Sequence, residues 1–142
     1  MNLEIFQEIN DMVLAGPNDD FKVIGRLEWE NSKNRNEILR VVDIEGEYDE
    51  QYFLEENKQE CLKGSRGTEY IDSKELKVLG KNLFMCIQKG LTGLAITHTF
   101  IQKDGYVYYI IATADPDDYE RASSLTAYMF SKILNNCNTC YY

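Results

Sequence analysis

One histidine, His98, stands among 142 residues, with two prolines and a single tryptophan. A lone imidazole excludes any mechanism or metal site that draws two histidines from this chain. The low proline and glycine content rules out a fibrous or low-complexity chain. No uncharged apolar run approaches the ~20 residues that cross a bilayer; the longest candidate, Leu91 to Ile101, is broken by Thr, Gly and His. Positive charge is scarce too. Fifteen Lys and Arg face 24 Asp and Glu, a net charge of −9, so nucleic acid and anionic membranes are disfavoured as partners. Met1 to Ala15 carries three acids and no base, which argues against an export signal and for a cytoplasmic protein. Four cysteines, Cys61, Cys86, Cys137 and Cys140, are sparse for a disulfide scaffold and are expected to be thiols.

What is present suits one folded domain spanning residues 1–142. The hydrophobic fraction is 44% and the charged fraction 27%, and a chain this long buries ~68–70% of its unfolded surface. Leu3, Phe6, Ile9 and Val13 repeat at helical spacing before Gly16-Pro17, which predicts an N-terminal helix. Phe21, Val23, Gly25, Leu27 and Trp29 alternate with polar residues as one half-buried strand, and Glu37–Glu45 is its antiparallel partner. Tyr48 to Lys63 is ambiguous. Its start alternates as a strand would, yet Asp49 suits an N-cap and Lys63-Gly64 a helix end. Asp72 and Glu75 form a capping-box pattern ahead of Leu76, Leu79, Leu83, Phe84 and Ile87, predicting a long middle helix that stops at Gly90.

Asp104-Gly105 predicts a tight hairpin between Leu94–Gln102 and Tyr106–Thr113, placing Ile111 opposite His98. Asp115-Pro116 is expected to open a C-terminal helix whose inner face is Tyr119, Ala122, Leu125, Met129, Phe130 and Ile133, with residues 135–142 as a polar tail. The expected class is α+β, an antiparallel sheet of four to five strands with an N-terminal, a middle and a C-terminal helix packed mainly on one face. That element order, with the size and the acidity, resembles the class I type III secretion chaperones and their YbjN-like structural relatives. The resemblance implies an adaptor that holds an extended client segment; it assigns no residue a role.

Charge placement is the main functional signal. Between Asp43 and Glu60 lie eight carboxylates against Lys58 alone, seven of the nine net negative charges. Tyr48, Tyr52 and Phe53 are interleaved with them, a composition that suits a protein interface. The candidate partner-binding residues are therefore Glu45, Glu47, Tyr48, Asp49, Glu50, Tyr52, Glu55 and Glu56. A second candidate surface is the strand face bearing Thr97, Thr99, Tyr106 and Tyr108, provided no helix covers it.

No metal site is assigned. Asp43-Ile44-Glu45-Gly46-Glu47 places its glycine wrongly for a calcium loop, and Asp115, Asp117, Asp118 and Glu120 suit a helix's first turn. Cys137 and Cys140 form a lone CxxC without the second pair that zinc requires. Lys63 to Thr68 lacks phosphate-loop spacing and reads as a connector. His98 is expected to be a structural strand residue, and no catalytic set is found, so no cofactor is expected. The sequence favours a non-enzymatic inhibitor, immunity or phage anti-defence protein that occludes a basic surface of a protein partner. The alternatives are the chaperone-like adaptor and a small-molecule-binding protein or small enzyme; a homodimer is compatible with all three.

Overall fold

In the computed structural model, residues 20–64 and 67–135 are described. The predicted N-terminal helix and the Cys137/Cys140 pair lie outside them. Seven strands form one antiparallel sheet: β1 (Phe21–Gly25), β2 (Glu28–Asn31), β3 (Asn34–Glu45), β4 (Glu69–Val78), β5 (Lys81–Lys89), β6 (Leu94–Lys103) and β7 (Tyr106–Pro116). Helix α1 (Glu50–Lys63) separates β3 from β4, and α2 (Tyr119–Asn135) follows β7. The spatial order is β1-β2-β3-β7-β6-β5-β4. The class is α+β as expected, but the count of four to five strands was too low.

Two physical causes account for the extra strands. The segment expected as the middle helix is the β4–β5 hairpin, turned by Leu79 and Gly80 at φ 51° and 80°. Leucine has little tolerance for positive φ, so Leu-Gly carries a weak turn signal, and the leucines around it mimic a helical stripe. In β5 the buried residues Leu83, Met85 and Ile87 follow period two. Asp72 caps nothing: it sits where the β4–β5 register shifts, its carboxylate accepting from the Ser73 N–H. Similarly, the single strand expected from Phe21 to Trp29 is broken into β1 and β2 at Arg26-Leu27, with Leu27 at φ 55° and fully buried.

The middle helix is instead α1, in the segment that was ambiguous. The Asp49 carboxylate accepts the Tyr52 N–H at 2.8 Å, and Gly64, at φ 69°, donates to the carbonyls of Glu60 and Cys61. The β6–β7 hairpin is found as predicted, with Asp104 and Gly105 at φ 53° and 82° and His98 opposite Ile111. Pro116, however, ends β7 rather than opening α2. Asp118 caps that helix by accepting the Arg121 N–H at 3.1 Å, while Asp115 receives the side-chain amides of Asn34 and Asn36.

The two described helices lie on opposite faces of the sheet, not mainly on one. Leu125, Met129, Phe130 and Ile133 of α2 pack on Trp29, Leu39, Met85, Ile101 and Ile110, which form the main core, and Ala122 packs with Ala95 and Ala114 beside it. Within that layer the Thr97 and Thr126 hydroxyls bond at 2.6 Å, both fully buried. Helix α1 crosses the other face, where Cys61 is disulfide-bonded to Cys86. The expectation of thiols therefore fails for these two. The sequence hides their pairing because the leucine spacing around Cys86 predicts a helix.

The two linkages give separate predictions. Thr126→Val strands the Thr97 hydroxyl in the core and should cost about 1–3 kcal/mol in chemical denaturation. The Thr97→Val/Thr126→Val double variant should recover most of that loss, whereas additive losses would contradict the paired geometry. For the disulfide, whose cysteines are 25 residues apart, reduction should cost roughly 3 kcal/mol. Peptide mapping of the unreduced protein should find Cys61 and Cys86 closed to alkylation.

Candidate functional site

The acidic segment becomes a two-sided helix. Phe53, Asn57 and Cys61, at i, i+4 and i+8, face the sheet. The Phe53 ring packs on Tyr48, Phe100 and Tyr109 at centroid distances of 5.4, 4.9 and 5.8 Å. Asn57 bonds back to the Phe53 carbonyl at 2.8 Å, and the Lys58 ammonium reaches Glu75 at 2.9 Å, a hydrogen bond that raises the lysine's pKa. Only Cys61 is fully buried in this helix, so its hydrophobic grip on the sheet is small and the disulfide supplies the firm anchor. Outside that sheet-facing stripe, Tyr52, Glu55, Glu56, Gln59 and Glu60, linked by three- and four-residue steps, are all exposed. Tyr52 is 66% exposed despite its size.

The expected binding residues divide accordingly. Tyr52, Glu55 and Glu56 are brought together on the outer stripe, and Glu60, not among the chosen residues, joins them one turn later. Among the described residues Glu56 and Glu60 form no ion pair, while Glu55 lies 4.0 Å from Lys58. Asp49 and Glu50 are exposed but engaged, one as the cap and the other with Lys81 at 3.4 Å. Tyr48 is half turned inward, its backbone held at both ends by the Gln102 side chain at 3.0 and 3.1 Å. Glu47 is exposed in the connection to α1. Glu45 is not part of this surface. Its register partner is Tyr106, on the sheet face opposite α1.

Asp43 shares that opposite face and is neutralised. The Arg26 guanidinium donates to both carboxylate oxygens at 2.8 and 3.0 Å and holds the Asp43 carboxyl well below the usual range. The second candidate surface fails its condition. Thr97, Thr99 and Tyr108 are buried, with α2 packed over that face, and Tyr106 is half-buried, its ring 6.0 Å from that of Tyr108. Burial, with the Asp43 charge nearby, pushes the Tyr108 phenol up to about 12.

His98 lies on the α1 side of β6, directly opposite Cys86. Since Cys86 is consumed in the disulfide, no thiolate is available for a Cys–His pair there. Burial lowers the His98 pKa from 6.5, the neutral ring being favoured in the fold. No three His, Cys, Asp or Glu side chains converge as a metal site among the described residues. Likewise, no helix among them is long and apolar enough to cross a membrane.

No protein-family model matches the chain, and no curated protein matches it in sequence. A solved fold does match. The solution structure of cyanobacterial PsbP (CyanoP) from Synechocystis sp. PCC 6803 superimposes with a TM-score of 0.51 at 13% identity, over 74% of this chain and 71% of that one. The similarity shows a PsbP-like fold and nothing of function. It overturns the resemblance to type III secretion chaperones and YbjN-like proteins, which rested on an element order containing a helix where β4 and β5 stand.

The His98 environment gives a pH prediction. Because the folded pKa lies below the unfolded value of 6.5, the unfolded chain takes up the proton first and stability falls as pH drops below about 6.5. His98→Gln should flatten the change in melting temperature between about pH 7.5 and about pH 5.5. An undiminished slope in that variant would place the titrating group elsewhere.

Proposed function

We propose that this protein is a non-enzymatic binding module that docks the outer face of α1 onto a basic surface of a protein partner, in the manner of an inhibitor or immunity protein. The observation that carries this reading is the exposed stripe of Tyr52, Glu55, Glu56 and Glu60 on a helix tied covalently to a seven-strand sheet. The unneutralised carboxylates steer encounter, and such fields raise association rates by ~10–10³-fold at low salt. Tyr52 supplies contact area whose burial slows release. Holding the helix before contact reduces the ordering cost of binding. An anti-defence protein encoded by a phage would use the same surface.

The Cys61–Cys86 disulfide is the observation that bears on compartment. It supports an oxidising space outside the cytosol over the cytoplasm, where glutathione and thioredoxin keep most cysteines reduced.

The test begins with affinity capture at low salt, followed by titration of the isolated complex. Raising salt from roughly 50 to about 300 mM should weaken binding at least tenfold, chiefly through association rate. Glu55→Lys/Glu56→Lys/Glu60→Lys should abolish it while the melting temperature stays within a few degrees. Tyr52→Ala should instead accelerate dissociation. Salt-independent affinity, or full binding by the triple variant, would reject the reading.

A further inference from the structure

The sheet is not continuous. Strands β4 and β5 pair along nine positions and β6 and β7 along ten, but β5 and β6 pair only from Cys86↔His98 to Lys89↔Ala95. Beyond Cys86 and His98 the two hairpins part. The Thr99 hydroxyl donates to the Phe84 carbonyl, taking the place of the next ladder bond.

The register identifies which backbone groups border the gap. Val78 and Lys81 close the β4–β5 turn, and Lys103 and Tyr106 close the β6–β7 turn. In antiparallel ladders alternate residues bond to alternate sides. Asn82 and Phe84 on β5 therefore direct their peptide groups toward β6, and Phe100 and Gln102 direct theirs toward β5. Thr99 capping Phe84 agrees with that assignment.

A cleft of about 620 Å³ lies at this divergence, within the ~300–1,000 Å³ of ordinary ligand sites. Leu83 and Ile101 form its apolar base, backed by the core under α2, and Phe84, Phe100 and Leu54 line the side toward α1. Its charged lining is balanced, two carboxylates (Glu50 and Glu75) against two ammonium groups (Lys77 and Lys81). Two strand edges facing one another across a cleft with an apolar base and a mixed, electrically balanced rim are complementary to one kind of occupant: a short, uncharged polypeptide in extended conformation. Its backbone completes the ladders and its alternate side chains meet the base and the aromatic side.

We propose that the gap between β5 and β6 binds an extended segment of three to four residues from a partner chain by strand addition. The edges run from Asn82 to the Phe84 N–H, the Phe84 carbonyl being taken by Thr99, and from Phe100 to Gln102, ~10 Å at the ~3.4 Å rise of a strand. The site stands apart from the charged outer stripe of α1 and does not require it.

The probe is the uncharged peptide acetyl-Thr-Val-Thr-Val-Thr-amide, titrated into isotope-labelled full-length protein and followed by amide NMR. The expected result is a saturable shift of the Asn82, Phe84, Phe100 and Gln102 amides. Methylating the two valine nitrogens of the probe should weaken binding about tenfold or more, because strand addition reads backbone donors. Asn82→Pro removes a donor that points into the cleft and not into the β4 ladder, so it should weaken binding to a similar degree in a folded protein. Should that variant not fold, the methylated probe on the unaltered protein decides the matter. The Glu55→Lys/Glu56→Lys/Glu60→Lys variant should bind the probe like the parent protein, which separates this site's failure from that of the charged surface. Equal binding by the methylated probe, shifts confined to other residues, or no saturable shift would each overturn the proposal. So would a cleft that takes the apolar dye ANS and does not release it to the peptide, which would mark a small-molecule site.

Discussion

The bond between Cys61 and Cys86 determines how the acidic segment is displayed. Helix α1 buries one residue fully, and its other contacts include the Phe53 ring cluster and the Lys58–Glu75 and Lys81–Glu50 pairs. A helix this polar has little hydrophobic reason to lie on a sheet, since about 25 cal/mol per Å² of buried apolar area is what fastens most helices. By contrast α2 buries six residues and needs no covalent aid. The disulfide thus substitutes for a core on one face of the sheet. That leaves the outer stripe of α1 free to be charged without loss of fold.

The same arrangement explains how a −9 chain tolerates its charge. Asp43, which lies on the α2 side of the sheet, is neutralised by a two-point bond from Arg26. Glu37, nearly buried, receives Arg121 at 2.8 and 3.0 Å and the Asn31 amide at 3.1 Å, tying the start of α2 to β3. Charge is therefore paired where the dielectric is low and left free where water screens it. Among the described residues, Glu56 and Glu60 on the exposed side of α1 are carboxylates without an ion pair.

Legibility in the sequence followed the strength of local signals. Asp104-Gly105 identified its hairpin because few residues tolerate two successive positive φ angles, and α2 is legible from six inward residues at helical spacing. The Leu79-Gly80 and Arg26-Leu27 turns each put a leucine, which has little turn preference, at positive φ, so one hairpin reads as a helix and another as a strand. Helix α1 was blurred because its stripe is polar, and only its caps, Asp49 and Gly64, gave it away. The acidic, aromatic character of the candidate surface was visible. Its membership was not: Glu45 leaves it, Glu60 joins it, and Thr97 and Thr99 prove to be core residues once α2 is placed. The gap between β5 and β6 leaves no trace in the sequence, because strand divergence depends on pairing between a segment whose spacing mimics a helix and one that alternates as a strand.

The account's central claim is that the disulfide holds α1 to the sheet. Amide hydrogen exchange of the oxidised and the reduced protein, compared residue by residue at one pH, tests it most directly. The account predicts that reduction strips protection from Phe53 through Cys61 while the β6–β7 ladder and α2 keep theirs. Equal protection of α1 in both forms would contradict it, since the helix would then be held by its noncovalent contacts alone.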